Sequence, residues 1–401
     1  MSSPYGTGAY VHIPFCERRC DYCDFATWTD RSHLMAAYVD ACVSHAQALR
    51  REHPGAIDHV FFGGGTPSLL PPDDLGRIVD ALQPTPDAEI TVEVNPDSFS
   101  DRHARVYAAS GVNRISMGVQ SMDDEVLVAL GRTHNRDNVA QAVRAARGAG
   151  IEHVNVDLIY GSPVESFRSW IASVSAALSD DIDHLSCYAL TVEPGTPLGA
   201  SVAAGTARAP DDDDQAAKYE AIDELCESAG LSWYEISNWA RPGGECRHNQ
   251  NTWAGGNYLA VGAAAHGFMD GARFWNVRTP ERYIEAVSTT GDPVAVRVPQ
   301  SLQDRYVETL MLGLRTRTGV DLAGWPDAVI QTAADLVDIG LLVAGGRSAP
   351  PNFDQSGRPS QTRDADSCHG ADGQRFSLTR RGRLLASHVM SELASHLPDG
   401  R

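Results

Sequence analysis

Cys16, Cys20 and Cys23 stand in one short segment, FCERRCDYCDF, at the spacing C-x3-C-x2-C. Thiolates at this spacing can hold three irons of a [4Fe-4S] cubane and leave the fourth iron without a protein ligand. Structural zinc is the competing use of such a loop, but it wants four ligands, usually as two paired half-sites, and no second CxxC follows. His12 or His33 could complete a zinc shell, so the spacing alone leaves both metals open. The other cysteines, Cys42, Cys187, Cys226, Cys246 and Cys368, are scattered singly. In a reducing compartment a tight cysteine cluster implies metal rather than disulfides.

A glycine run, Gly63, Gly64 and Gly65 with Thr66 and Pro67, follows the apolar segment HVFF. It lacks the GK[ST] ending of a phosphate-binding loop and the last glycine of a dinucleotide fingerprint. Glycines most often serve a turn, so the run gains meaning only from its place beyond the cysteine loop.

The elements that position these motifs alternate. Short apolar runs (Tyr10 to Ile13, His59 to Phe62, Ile90 to Val94, Arg114 to Gly118, Val154 to Ile159, Leu185 to Leu190, Trp233 to Ile236) read as strands apolar on both faces, which suits a parallel sheet. Between them, Leu34 to Arg50, Leu75 to Leu82, Asn138 to Gly148, Trp170 to Leu178 and Gln215 to Ser228 carry helical periodicity. The fold class is α/β. Six or seven βα units predict an open, partial (β/α) TIM-like barrel with its site at the strand carboxyl ends. Ser237 to Gly267 has no helical period and reads as a long functional loop or extension. The order of elements from Leu302 onward resembles a small winged-helix-like domain, interrupted by a Gly, Ser, Pro and Asp-rich insertion expected to be disordered. The predicted division is 1–236 barrel, 237–300 contacting extension, and 301–401 C-terminal domain with the insertion at 345–374.

The chain has 401 residues, 42% hydrophobic and 21% charged, which fits a folded protein of two or three units. A net charge of −19 disfavours nucleic acid as a partner, although Arg380, Arg381 and Arg383 could touch phosphates. Asp211 to Asp214 precedes a helical stretch, where carboxylates favour the positive end of the helix dipole. No basic and apolar leader opens the sequence and no apolar run reaches the ~18 residues of a membrane span, so a cytoplasmic location is expected.

With the cysteine loop and glycine run in order, the chain resembles the radical-SAM superfamily, and within it the oxygen-independent coproporphyrinogen-oxidase-like branch. YVHIPFC, FFGGGTPS, EVNPD, GVNRISMGVQS, NVDLIYGSP and CRHNQNTW carry the likeness, which spans nearly the whole chain outside the insertion. It implies Cys16, Cys20 and Cys23 as cluster ligands, the open iron chelating S-adenosylmethionine, and electron donation that cleaves the sulfonium to a 5'-deoxyadenosyl radical. It places Tyr10 and Tyr22 beside the bound S-adenosylmethionine and Gly64, Gly65 and Thr66 at its methionine portion, where an exposed backbone edge would take the amino group. Glu93, Gln120, Arg132 and Asp157 would line the remaining S-adenosylmethionine sites.

Two members of the branch differ in function. One, the coproporphyrinogen III dehydrogenase, decarboxylates two propionates by radical chemistry; the other, the HemW type, is a chaperone that binds heme and passes it to acceptor proteins. The dehydrogenase pattern has a fourth cysteine two positions beyond the third, where this chain has Phe25, as HemW-type chains do. Only fifteen residues precede Cys16, fewer than the dehydrogenase places over its substrate. Cys246 to Trp253 resembles the HNxxYW motif associated with heme, with Thr252 in place of its tyrosine. His248 is the implied heme contact, His266 a second candidate, and Cys246 a further source of thiolate. The expectation is a heme chaperone with a [4Fe-4S] cluster and S-adenosylmethionine, an electron donor and heme-acceptor proteins as partners, and only peripheral contact with membrane heme proteins. Whether it is an enzyme stays open, with no catalytic residue singled out and the dehydrogenase as the alternative.

Overall fold

The computed structural model describes residues 3–345 and 374–397. Apart from its end residues, the insertion expected at 345–374 lies outside the described residues. The chain divides into two compact units, one of residues 1–232, 237–252 and 256–299, the other of 233–236, 253–255 and 300–401.

Six strands open the first unit: β1 (Gly8–Ile13), β2 (His59–Gly64), β3 (Glu89–Val94), β4 (Arg114–Gln120), β5 (His153–Tyr160) and β6 (His184–Ala189). Each pairs with the next in parallel. The connections are helical, among them α1 (Met35–Glu52), α2 (Pro72–Leu82), α3 (Asp101–Ala109), α4 (Asp124–Ala129), α5 (Arg136–Gly148) and α6 (Phe167–Ser179), and α7 (Pro197–Ala203) and α8 (Asp212–Ser228) follow β6. The sheet does not close on itself, so the barrel is partial.

The strands are buried on both faces but apolar on only one, a correction to the sequence reading. Val60 and Phe62, Ile115 and Met117, Val154 and Val156 are fully buried. At alternate positions stand Thr91 and Glu93, Arg114 and Ser116, Asn155 and Asp157, His184 and Ser186, all lining one interior cavity. A strand's side chains alternate between faces, so a polar interior shows as a period of two. The helices cover the apolar face.

Helix ends follow local chemistry. Ser100 and Asn135 form capping boxes with His103 and Asn138. Asp211 accepts from the Asp214 N–H at the start of α8, as the acidic run predicts. The sequence missed α3, whose DRHARVYAA buries only Ala104 and Tyr107 and so carries almost no apolar stripe.

Two expectations are corrected. The seventh run is a strand, β7 (Ser232–Glu235), but it does not extend the parallel series; β8 (Asn238–Ala240) pairs antiparallel with β6. The segment 237–267 is not a loop. It holds β8, α9 (Arg247–Trp253), β9 (Tyr258–Val261) and the start of β10 (His266–Met269). β9 runs parallel beside β1, and β10, β11 (Ala272–Asn276) and β12 (Val294–Pro299) continue as an antiparallel meander. Strands of three to five residues are too short to carry a recognisable period. α10 (Pro280–Thr289) joins the last two strands.

The second unit packs α11 (Leu302–Gly313), α12 (Asp327–Asp338), α13 (Arg380–Leu384) and α14 (Ala386–Ala394) with a small sheet of β13 (Val320–Asp321), β15 (Arg375–Leu378) and β14 (Leu342–Ala344), in that order. Leu310, Leu336, Phe376 and Val389 are at its core. Four helices and a three-stranded sheet give it the winged-helix-like form. Arg383 is buried with its guanidinium 4.4 Å from the Trp233 ring centre, which removes it from any phosphate-binding role.

Candidate functional site

The cysteine loop leaves the carboxyl end of β1 and is closed at its neck. The Cys16 N–H donates to Trp28 O and the Trp28 N–H to Pro14 O, at 3.1 and 2.8 Å. His12 ties the loop from beneath: its Nε2 bonds Ala26 O at 3.0 Å, so the Nε2–H donates and Nδ1 accepts from the Tyr10 hydroxyl at 3.1 Å. Burial pushes the Cys16 and Cys23 thiols upward in pKa. The Arg132 guanidinium lies 3.4 Å from Cys20 Sγ, and the Thr66 hydroxyl points at Cys16 Sγ from 3.9 Å. These are donors that thiolate ligands of a cluster accept. Among the described residues no three His, Cys, Asp or Glu side chains converge to hold a single ion. A cubane takes its ligands at separate corners, so the three thiols suit it better than zinc.

The glycine run is fixed by close packing. A side chain on Gly64, whose φ is 110°, would meet the His12 ring at 2.3 Å, and one on Gly65 would meet Phe15 O at 2.6 Å. The Gly65 and Thr66 N–H groups donate to Ile13 O and Phe15 O, and the Gly64 N–H donates to Glu93 Oε2 at 3.1 Å. The N–H groups of this edge are thus already bonded, and an amino group received there, as the resemblance implies, would be held by carbonyl oxygens.

One cavity of about 380 Å³ gathers Cys16, Cys20, Cys23, Tyr22, Gly64, Gly65, Thr66, Glu93, Gln120, Arg132 and Asp157. Its volume is in the range of small-ligand sites. Burial, with the nearby Asp157 charge adding to it, pushes the Glu93 carboxyl up to about 8. Burial raises Asp157 as well, opposed by its bonds to Ser186, Ser116 and Asn155. Arg132 also donates to Asn95 Oδ1 and Gly118 O, at 2.8 and 2.6 Å. Gln120 has the left-handed φ of 68° beside an irregularity in the β4–β5 register, a bend at the cavity wall. Tyr10 does not line the cavity; its ring stacks on Phe61, which does.

His248 lies elsewhere. It is buried on α9 at the amino end of the strands, stacked on Phe61 and Tyr10 with ring centres 5.0 and 6.2 Å away. Its Nδ1 is 3.2 Å from His59 Nδ1. Burial first, then His59, brings it down to about 3. Glu89 anchors this helix, accepting from the Arg247 N–H at 2.8 Å and pairing with buried Arg114 at 3.0 Å. The Thr252 hydroxyl is occupied by His248 O in its own helix. Cys246 lines the cavity floor.

Sequence reasoning missed Asn95, Ser116, Asn155 and Ser186, which hold Arg132 and Asp157 in place. The polar alternation in RISMGVQ, HVNVDLIY and HLSCYA was the signal that could have found the last three.

Residues 10–176 match the family model of the radical SAM superfamily, the class of protein that a three-cysteine loop at the mouth of a partial barrel defines. The "Heme chaperone HemW" of Mycobacterium tuberculosis is 37% identical over 96% of this chain and 94% of its own. That of Bacillus subtilis is 34% identical over 78% and 84%. The chain belongs to the HemW family of this superfamily. In fold it is similar to the solved coproporphyrinogen III oxidase (HemN) of Escherichia coli, a radical SAM enzyme, with a TM-score of 0.78 and 21% identity over 98% of this chain and 90% of that one.

Proposed function

We propose that this protein is a cytoplasmic heme chaperone that carries a [4Fe-4S] cluster on Cys16, Cys20 and Cys23, holds S-adenosylmethionine in the adjoining cavity, and delivers heme to acceptor proteins. The observation that carries it is the convergence of the three-thiol loop, Arg132, Thr66, Glu93 and Asp157 on one cavity. Its relatives bear the name heme chaperone. When bound, the cluster supplies an electron to the sulfonium of S-adenosylmethionine, received in turn from a donor protein.

The chain's own groups have separable parts. Arg132 offsets thiolate charge at Cys20; Thr66 donates at Cys16. Glu93 and Asp157 face the positive ligand, whose arrival favours their ionised forms. Tyr22 and Gln120 form the walls, and Tyr10 supports the site through His12 and Phe61. Gly64 and Gly65 let β1 and β2 approach closely enough to place them. We assign the division 1–236, 237–300 and 301–401 to barrel, extension and C-terminal domain. Heme contact through His248 requires α9 to lift from the strands, because its ring is buried there.

Anaerobic reconstitution tests the cluster: iron and sulfide should be incorporated together with an absorbance band that Cys20→Ser abolishes. Incubation with coproporphyrinogen III, S-adenosylmethionine and reductant should give no protoporphyrinogen, while hemin should bind stoichiometrically. Turnover would sink the chaperone reading.

A further inference from the structure

The meander β10–β12 has one face that nothing above uses. In antiparallel strands directly opposed residues share a face, as do residues two apart. His266 opposes Trp275, which opposes Val296; two residues along, Phe268 opposes Arg273, which opposes Val298. All six therefore share one face. Phe268 also opposes Tyr258 of β9, and Tyr258 is level with Gly8 of β1, so this face continues the inner, cavity-side face of the barrel sheet. His266 lies close enough to His12 beneath the cysteine loop for their charges to interact.

The composition of the face is unusual for an open sheet. Val296 and Val298 are 38% and 46% exposed on the outermost strand, and His266 is exposed on the same face two strands away. Contiguous exposed apolar surface rimmed by polar groups is the kind of surface that marks interaction and ligand-binding sites. The imidazole is stacked on the Trp275 indole, ring centres 5.5 Å apart and 22° from parallel, which fixes its position. Neither ring nitrogen of His266 makes a hydrogen bond among the described residues. His248, by contrast, is buried and shares its Nδ1 with His59. The Arg273 guanidinium sits on the Phe268 ring, 5.3 Å from its centre, one register row from His266.

We propose that this face receives the tetrapyrrole, with His266 supplying a nitrogen to its iron, Trp275, Val296 and Val298 carrying the macrocycle, and Arg273 meeting a rim carboxylate. The proposal rests on the heme reading and moves its site from the buried α9 to the open meander. Two strand spacings set β10 and β12 about 10 Å apart, a platform comparable in width with a porphyrin. The same ligand chemistry accounts for each feature: an imidazole for iron, an aromatic and aliphatic bed for a flat apolar ring, and a cation for its carboxylate.

Hemin titration of the full-length protein, followed by the Soret band, tests the assignment. His266→Ala should shift the band and weaken binding by about tenfold or more, while His248→Ala leaves both unchanged. Arg273→Met should weaken hemin severalfold but not its dimethyl ester, which lacks the carboxylates. Since the His266 and Arg273 side chains are at least partly exposed, unchanged far-UV circular dichroism will verify folding of those two variants, and a near-native urea midpoint will verify that of the buried His248 variant. Hemin binding by His266→Ala with wild-type affinity and spectrum overturns the assignment and leaves the chaperone reading standing. Failure of the unaltered protein to bind hemin stoichiometrically overturns both.

Discussion

A carboxyl group enclosed beside a second one, as Glu93 is beside Asp157, keeps its proton up to about pH 8. Between its ordinary value of 4.5 and that point the folded chain holds a proton that the unfolded chain has released. Its contribution is full below 4.5 and is lost as pH rises through about 8. The cofactor-free protein should therefore lose stability from pH 5 to pH 8, by up to roughly 4 kcal/mol from this group. Urea midpoints across that range check it, and Glu93→Gln should flatten the slope. The buried histidines act on the opposite side. Burial brings His59 to about 4 and His248 to about 3, so both stay neutral while the unfolded chain takes protons below 6.5. Their contribution is full above 6.5 and is lost as pH falls through 4 to 3. His248→Phe, which keeps the stack on Phe61, should move the acid unfolding midpoint downward; an unchanged midpoint would count against a buried neutral imidazole. At this scale the cysteines were legible because their chemistry is declared by spacing. Asn95 and Ser116 were not, because a polar side chain that serves only to hold another has no spacing of its own.

Among elements, α9 and the β1–β2 junction bear most on the site. Glu89 joins the first turn of α9 to Arg114, and removing one member of a buried pair leaves the other charge uncompensated. Glu89→Ala should cost about 3–5 kcal/mol, read from urea unfolding. Gly65→Ala sets a methyl group against the backbone of Phe15 and Ile13. It should lower both melting temperature and iron incorporation, since the cysteine loop begins where those strands meet. A variant that melts lower yet loads iron fully would show the two to be independent. The parallel strands are legible in sequence because each carries a short run rich in apolar residues between helical stretches; their polar face is not, because the runs read as apolar on both faces although Arg114 and Asn155 lie within two of them and His184 just before a third. The stretch 237–267 reads as a loop or extension in sequence because its strands are short and its helix, RHNQNTW, buries only His248 and Asn251.

Over the whole molecule the dominant quantity is a net charge of −19. Hemin carries carboxylates, so the long-range field opposes its approach even where Arg273 attracts it locally. Salt screens the distant charges first, with a Debye length of about 10 Å at 0.1 M. Hemin association, measured by stopped flow, should accelerate with ionic strength over the range up to that value; slowing would mean that local attraction governs encounter. No helix among the described residues is long and apolar enough to cross a membrane. The partial barrel was legible as a count of βα repeats that falls short of eight. The meander was not, because sequence cannot tell which edge of a sheet a returning strand will join, and here β9 returns to β1.

The neck of the cysteine loop has one further consequence. With Cys16 and Trp28 bonded across its base through the main chain and the His12 ring bonded to Ala26 O, the loop is closed by hydrogen bonds that involve no cysteine thiol. The entropy of bringing distant ends together is then no part of cluster assembly, which becomes a local ordering event. Loss of the cluster to oxidation should be reversible without passage through the unfolded chain. In hydrogen exchange the Trp28 amide would stay protected in the iron-free protein, while amides nearer the middle of the loop exchange freely.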